Sequence, residues 1–458
     1  MTDQANASPV TADLRDAVQR VLPGVRADLE DLVRIPSVSA DPSRHEDVRR
    51  SAAATADLLT GAGFPDVQVV SADGGQPAVV ARRPAPDGAP TVLLYAHHDV
   101  QPTGSRADWS SEPFEPTERD GRLYARGAAD DKAGIAAHLA AIRAHDGEPP
   151  VGVTVFVEGE EEVGSPTLAS FLEGHRDLLA ADVIVIADSA NWDIGVPSLT
   201  TSLRGLADCV VEVRTLEHAL HSGMYGGAAP DALTALCRLL ATLHDDAGDV
   251  AVSGLASGPA ADLDYPTQRF RAEAGLVDGV EPVGTGSLAE RLWTRPALTV
   301  LGIDAPRVAE SSNTLQPLAR AKVSLRVAPG DEAEKALDAL ARHLEGHVPW
   351  GAQVTVHRGE TGQPFAVDAA GPAYDAARAA FREAWDGTEP VDMGVGGSIP
   401  FIAAFAEAYP EAAILVTGVE DPDTRAHGAD ESLHLGEFAR VCLAEALLLQ
   451  RLASLTPG

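Results

Sequence analysis

Cysteine is scarce in this chain. Its 458 residues include Cys209, Cys237 and Cys442 and no CxxC pair. That leaves no basis for a disulfide framework or a thiolate metal site, and the three read as small core residues in a reducing compartment. No apolar run reaches the length needed to cross a bilayer. Met1–Asp13 also lacks the basic-then-apolar order of a secretory signal, so a cytoplasmic protein is the expectation. Basic side chains are few, 35 against 68 acidic ones, for a net charge of −33. This balance argues against nucleic acid or an anionic membrane as a partner. Internal repeats and low-complexity tracts are missing as well.

What is present is a long, 45% hydrophobic chain, enough for a large core and more than one domain. Asp13–Ile35 has helical apolar spacing that Pro23 is expected to interrupt. Glu46–Ala62, Lys132–Ala144, Pro372–Trp385, Ile399–Ala406 and Leu435–Leu452 read as further helices. Val67–Ser71, Ala78–Arg82, Thr91–Ala96, Val151–Glu158, Asp182–Ala187 and Ala412–Thr417 read as strands. TVLLYA is too apolar to be exposed on either face, as in a parallel or mixed sheet with helices on both sides. This is an α/β pattern. From about Ser202 the character changes to longer strands, Leu206–Arg214, Ala297–Ile303, Ala319–Val327 and Gln353–His357, with helices Pro230–His244 and Asp331–His343. The expected organisation is an α/β catalytic domain (1–201 and 363–458) interrupted by an inserted α+β domain (202–362).

The buried strands of the α/β parts run into metal-type ligands. TVLLYA leads to His97-His98-Asp99, VTVFVE to Glu160-Glu161-Glu162 and DVIVIA to Asp188, while AILVTG is followed after a loop by His427. Asp130 and Asp131 precede a helix. In open α/β sheets sites form beyond the carboxyl ends of the strands, so these groups should converge on one rim. Imidazoles and carboxylates suit zinc, manganese or cobalt. Taken singly, a His or Asp after a strand is usually a turn or cap residue, and His98 is read as that. His138 and most other histidines are read as structural or surface. Chemistry alone does not divide the roles of Glu160, Glu161 and Glu162.

Several motifs together resemble a known family. In order they are AHHDVQP (Ala96–Pro102), GAADDKAG (Gly127–Gly134), EGEEEVGS (Glu158–Ser165), SLRG (Ser202–Gly205), LHSGMYGG (Leu220–Gly227), SLR (Ser324–Arg326), GGSIP (Gly396–Pro400) and His427. They are similar to the signature of the co-catalytic zinc aminopeptidase-like hydrolases, which include cytosolic non-specific dipeptidase, carnosine dipeptidase, aminoacylase and succinyl-diaminopimelate desuccinylase. The resemblance spans about Asp13 to the C-terminus and is nearest to the dipeptidase branch.

That resemblance implies a zinc-exopeptidase-like α/β domain with a mixed sheet flanked by helices, interrupted by a lid and dimerisation domain. It implies two Zn2+ per chain, or Mn2+ or Co2+, held by His97, Asp188, Glu162 and His427, with Asp130 bridging. Asp99 would orient the His97 imidazole, Glu161 would be the general base, and the Asp130–Asp131 peptide would be cis. Only the register of the resemblance along EGEEEVGS leaves Glu160 as a solvated spare. His221 would stabilise an oxyanion in the partner subunit's site, which calls for a homodimer. Asn313, Thr314, Arg326, Gly397 and Ser398 would meet a small peptide substrate. Departures are minor: Ala96, Ala129 and Ala133 stand where the family usually has Gly, Ser or Thr, and Gly. Asp188 points to a dipeptidase, because deacylases of the family tend to carry Glu there. An N-acyl-amino-acid amidohydrolase is the alternative.

Overall fold

The computed structural model describes residues 9–258, 263–397 and 400–455. The chain forms two compact units. One comprises Met1–Thr201, Asp368–Asp392 and Phe401–Gly458, and the other Ser202–Val367 with Met393–Pro400.

The first unit is a mixed sheet flanked by helices. Its strands run Asp66–Val70, Ala78–Arg83, Gly152–Glu158, Thr91–His97, Val183–Ile186, Ala413–Val416 in spatial order. The last four of these are mutually parallel, and antiparallel pairing brings in the first two. Gly152–Glu158 and Val183–Ile186 are buried along their whole length, as near-continuous apolar runs must be when helices cover both faces. On one face the helix Lys132–Ala144 packs against Thr91–His97, with the helices Pro9–Val33 and Leu435–Leu452 over it. The other carries an aromatic layer of Tyr95, Phe156, Phe171, Phe401 and Phe405.

Pro23 does not interrupt the first helix, which is continuous over Pro9–Val33. Val18, Val25, Leu29 and Leu32 are all buried, so tertiary packing outweighs the local proline penalty. Its C-terminal end is tied down by Lys132, fully buried, whose Nζ donates to the carbonyls of Leu32 and Ile35 at 2.8 Å each. Burial pushes that ammonium down to about 7. The helix Leu168–Leu179 is not evident from the apolar pattern of the sequence. It contains Gly174 and leaves helical angles at His175, and both weaken the periodic signal.

In the second unit an antiparallel sheet runs Ala297–Asp304, Leu318–Val327, Gly205–Arg214, Gln353–Gly362. Alternate residues of Gly205–Arg214, namely Ala207, Cys209, Val211 and Val213, turn into a core shared with the helices Ala232–Ala241 and Ala333–Gly346. The opposite face is charged, with Lys322–Asp208 and Arg320–Glu212 ion pairs. Cys209 and Cys442 are buried, but Cys237 is exposed on its helix. That corrects the expectation of three core thiols: Cys237 falls on the outward side of the Ala232–Ala241 turns. No helix of the described residues is long and apolar enough to cross a membrane.

Candidate metal centre

The parallel register brings the carboxyl ends of four strands to one rim. His97 pairs with Glu158, Tyr95 with Ile186, and Ile186 with Val416. His97 ends its strand, Glu161 and Glu162 lie in the turn just after Glu158, and Asp188 follows Ile186 by two residues. Asp130 precedes the helix Lys132–Ala144, and the peptide joining it to Asp131 is cis. His427 comes from the loop after Ala413–Val416. Its backbone is left-handed, φ 63, which costs a residue with a side chain about 1–3 kcal/mol and must be imposed by its surroundings.

Asp130 reaches both imidazoles. One of its carboxylate oxygens lies 3.1 Å from His97 Nε2 and the other 3.0 Å from His427 Nε2. Asp188 is 3.9 Å from His97 Nε2, and Glu162 is 3.3 Å from His427 Nε2. The donor atoms of His97, Asp130 and Glu162 lie within 4.8 Å of one another, as do those of His97, Glu161 and Asp188. By distance alone Glu161 therefore belongs to the same cluster.

Four carboxylates, Asp130 buried and Glu161, Glu162 and Asp188 half-buried, crowd around two imidazoles and perturb one another. Burial, with repulsion from Glu162, Asp99 and Asp130, pushes Glu161 up to about 7. Asp188 is driven well above the carboxylate range by burial and by Glu161, Asp131 and Asp130. Glu162 is raised by burial and by Asp130. Burial acts in the same direction on Asp130, but hydrogen bonds from His427 and His97 outweigh it and hold that carboxyl low. Hydrogen bonds to Asp130 and Glu162 raise His427 to about 10. Carboxylates crowded in this way favour a cation among them. The donor set of oxygen and imidazole nitrogen, with no thiol, fits zinc, manganese or cobalt. His97 presents Nε2 to the cluster because its Nδ1 is engaged, 3.1 Å from the Asp99 carbonyl and 3.5 Å from the Asp99 carboxylate. Such a contact fixes the tautomer a metal ligand needs.

Residues 93–451 match the family described as Peptidase family M20/M25/M40. The chain belongs to that family. It is a metallopeptidase, and dipeptidases are among its relatives. A cysteinylglycine-S-conjugate dipeptidase of Corynebacterium striatum is 38% identical over 367 residues, 79% of this chain and 81% of its own. A Cys-Gly metallodipeptidase of Candida albicans is 28% identical over 462 residues, 94% of each chain. The crystal structure of human carnosine dipeptidase 1 superposes with a TM-score of 0.81 at 25% identity, covering 98% of this chain and 100% of that one.

In this metallopeptidase several residues near the cluster do work that the sequence reading did not assign. The Asp99 carboxylate accepts the backbone N–H groups of Glu161 and Glu162 at 3.3 and 3.2 Å, so it shapes the turn that presents both. Gln101 donates its backbone N–H and its side-chain amide to the two oxygens of Glu162, at 2.9 and 2.8 Å. Asp131 accepts the His97 and Gly134 N–H groups, each at 3.2 Å. Glu431, fully buried, accepts from the backbone leading into Asp130.

Two readings need correction. Glu160 is not solvated. It is buried and accepts from Thr167 N at 2.8 Å, Thr167 Oγ1 at 2.5 Å and Gln76 N at 3.0 Å. His98 does not serve as a turn or cap residue. It is fully buried with Nε2 2.8 Å from the Pro77 carbonyl, and burial lowers it to about 4. Gly159 makes that burial possible: a Cβ there would strike the Pro77 carbonyl and sit 2.7 Å from His98 Nε2.

The remaining candidates lie in the second unit. His221 and Thr314 face each other in a two-stranded ribbon, and Ser222 N donates to the Asn313 carbonyl at 2.9 Å, so His221, Asn313 and Thr314 come together. His221 is exposed, its Nδ1 accepting from Gly223 N at 3.1 Å. Arg326 stands apart from them in the large sheet, opposite Leu206. Gly397 lies in the bend after the strand Val391–Val395, and Ser398 lies outside the described residues.

Proposed function

We propose that this chain is a dinuclear metal-dependent dipeptidase that hydrolyses the amide bond of unblocked dipeptides or short peptides. The observation that carries the proposal is the Asp130 carboxylate spanning His97 and His427 at 3.1 and 3.0 Å, with Asp188 and Glu162 on either side. His97 and Asp188 would hold one cation, Glu162 and His427 the other, and Asp130 would bridge them. Zn2+, Mn2+ or Co2+ would fill both places. Such a pair supplies, when bound, Lewis acidity for the scissile carbonyl and a lowered pKa for a water between the ions.

The chain's own residues do the rest. Asp99 fixes the Glu161–Glu162 turn, so that Glu162 can bind while Glu161 stays available. The Glu161 carboxylate carries no hydrogen bond among the described residues, leaving it able to take a proton from water and return it to the leaving amine. His221 of the partner subunit would steady the oxygen on which charge develops, in a homodimer built through residues 202–362 acting as lid and dimerisation domain. Arg326 would pair with the substrate's terminal carboxylate, for which a forked guanidinium is suited. Asn313, Thr314, Gly397 and Ser398 would line its backbone. The relatives act by name on Cys-Gly and on carnosine, which supports unblocked dipeptides as substrates. A cytoplasmic enzyme turning over small peptides is consistent with this reading.

The test is a substrate panel with defined metal. After dialysis against a strong chelator the protein should be inactive, and Zn2+, Mn2+ or Co2+ should restore hydrolysis of cysteinylglycine and carnosine well above that of N-acetyl or N-succinyl amino acids. Faster turnover of the N-acyl compounds would make it an N-acyl-amino-acid amidohydrolase instead. Full activity without metal would overturn both readings.

A further inference from the structure

A buried acid lies beside a site that already holds four. Glu431 and Arg126 are almost wholly excluded from solvent, and Glu431 Oε2 accepts from Arg126 Nη1 at 2.6 Å. The remaining capacity of the carboxylate goes to one short run of backbone: Gly127 N at 3.0 Å on the same oxygen, Ala129 N at 3.0 Å and Asp130 N at 3.2 Å on the other. The Glu431 carbonyl also accepts Ala125 N at 3.1 Å. Five hydrogen bonds from residues 125–130 thus converge on one residue.

The guanidinium extends the connection. Arg126 Nη2 donates to the carbonyl of Gly428, the residue after His427, at 3.0 Å, and approaches that of Pro102 at 3.4 Å. Its Cζ stands 5.5 Å from the Trp109 ring centroid. One ion pair therefore joins three segments that carry cluster residues: the stretch after His97, the loop ending at Asp130 and the loop carrying His427. A carboxylate this fully occupied has no oxygen left for substrate or metal. Its cost next to other acids is offset by Arg126, since a buried charge is tolerated when it is paired and hydrogen-bonded.

We infer that Glu431 and Arg126 are positioning residues, a clasp that sets the span between Asp130 and His427 and with it the second cation site. This rests on the dinuclear reading given above. Outer residues that orient ligands are worth about 10–100-fold in metal affinity or activity.

The experiment is a cobalt titration of the full chain, with affinity measured by chelator competition and geometry by the visible absorption of the bound ions. Circular dichroism and a melting curve report the fold. Glu431→Gln should fold, bind one Co2+ as the parent does and the second about 10–100-fold more weakly, with a changed spectrum and a fall in kcat larger than any change in KM. Parental second-site affinity and spectrum in folded Glu431→Gln would overturn the clasp. If Glu431→Gln does not fold because Arg126 is left unpaired, the double variant Arg126→Met/Glu431→Leu removes both charges together. It should show the same second-site loss, and parental affinity there, or a failure of both variants to fold, overturns the inference. Failure of the underlying reading looks different: the unmodified chain would take up fewer than two ions, or Asp130→Asn would leave uptake unchanged.

Discussion

Glu160, Glu161 and Glu162 follow one another at the end of the strand Gly152–Glu158, and each meets a different environment. Glu162 faces His427 and is gripped by Gln101. Glu160 turns away to satisfy Thr167 and Gln76. Glu161 is half-buried with no hydrogen-bond partner for its carboxylate among the described residues, and that freedom is what a proton carrier needs. Glu161→Gln should keep the parental metal content and lose about 10²–10⁴-fold in kcat, checked by metal analysis alongside steady-state kinetics. Unchanged turnover would remove Glu161 from the chemistry. At this scale the sequence was legible in kind but not in register. Acidity just past a buried strand marks a site, but consecutive residues differ in role through partners far away in the chain, and the fate of Glu160 depends on Gln76. Glu431 was illegible for the same reason, since a lone Glu in a polar loop gives no sign of the five donors that meet it.

Elements built on unbroken apolar patterns were readable almost to the residue. Lys132–Ala144 and Leu435–Leu452 have the bounds their periodicity implies, and Thr91–His97 extends the expected strand by one. Pro23 misled because a local penalty is small beside the packing of a whole helix face, and Leu168–Leu179 escaped because its own residues interrupt it. These elements are held together in part by His138, read from sequence as structural or surface. It is fully buried, with Nδ1 2.8 Å from Glu445 on the helix Leu435–Leu452 and Nε2 3.0 Å from the Tyr95 carbonyl. Burial opposes its charged form, but Glu445 and the Tyr95 carbonyl prevail and its pKa is raised. A group whose pKa is higher folded than unfolded contributes its full stability below the unfolded value and loses it as pH climbs through the folded one. The melting-temperature gap between the parent and His138→Gln should therefore be widest below about pH 6.5 and narrow toward alkaline pH, measured by calorimetry across that range. A gap independent of pH would show that His138 is held neutral.

For the whole molecule, the α/β frame and its covering helices could be read from alternating buried strands and helices. A homodimer was implied by the family resemblance alone, because nothing in one sequence prints its symmetry. The proposed shared site gives a test. His221→Ala and Glu161→Gln should each be poorly active alone. Equal amounts mixed under conditions that exchange subunits should recover up to about a quarter of parental activity, since half the dimers are hybrids and each hybrid has one intact site. No recovery would count against sites shared between subunits.

Lys132, spent as the anchor of the first helix, has a practical consequence in a chain this poor in lysine. The other two, Lys322 and Lys335, are exposed and both belong to the unit formed by residues 202–367. Apart from the α-amino group, amine-directed dyes, cross-linkers and immobilisation surfaces will attach through that unit and leave the metal-bearing one unmarked.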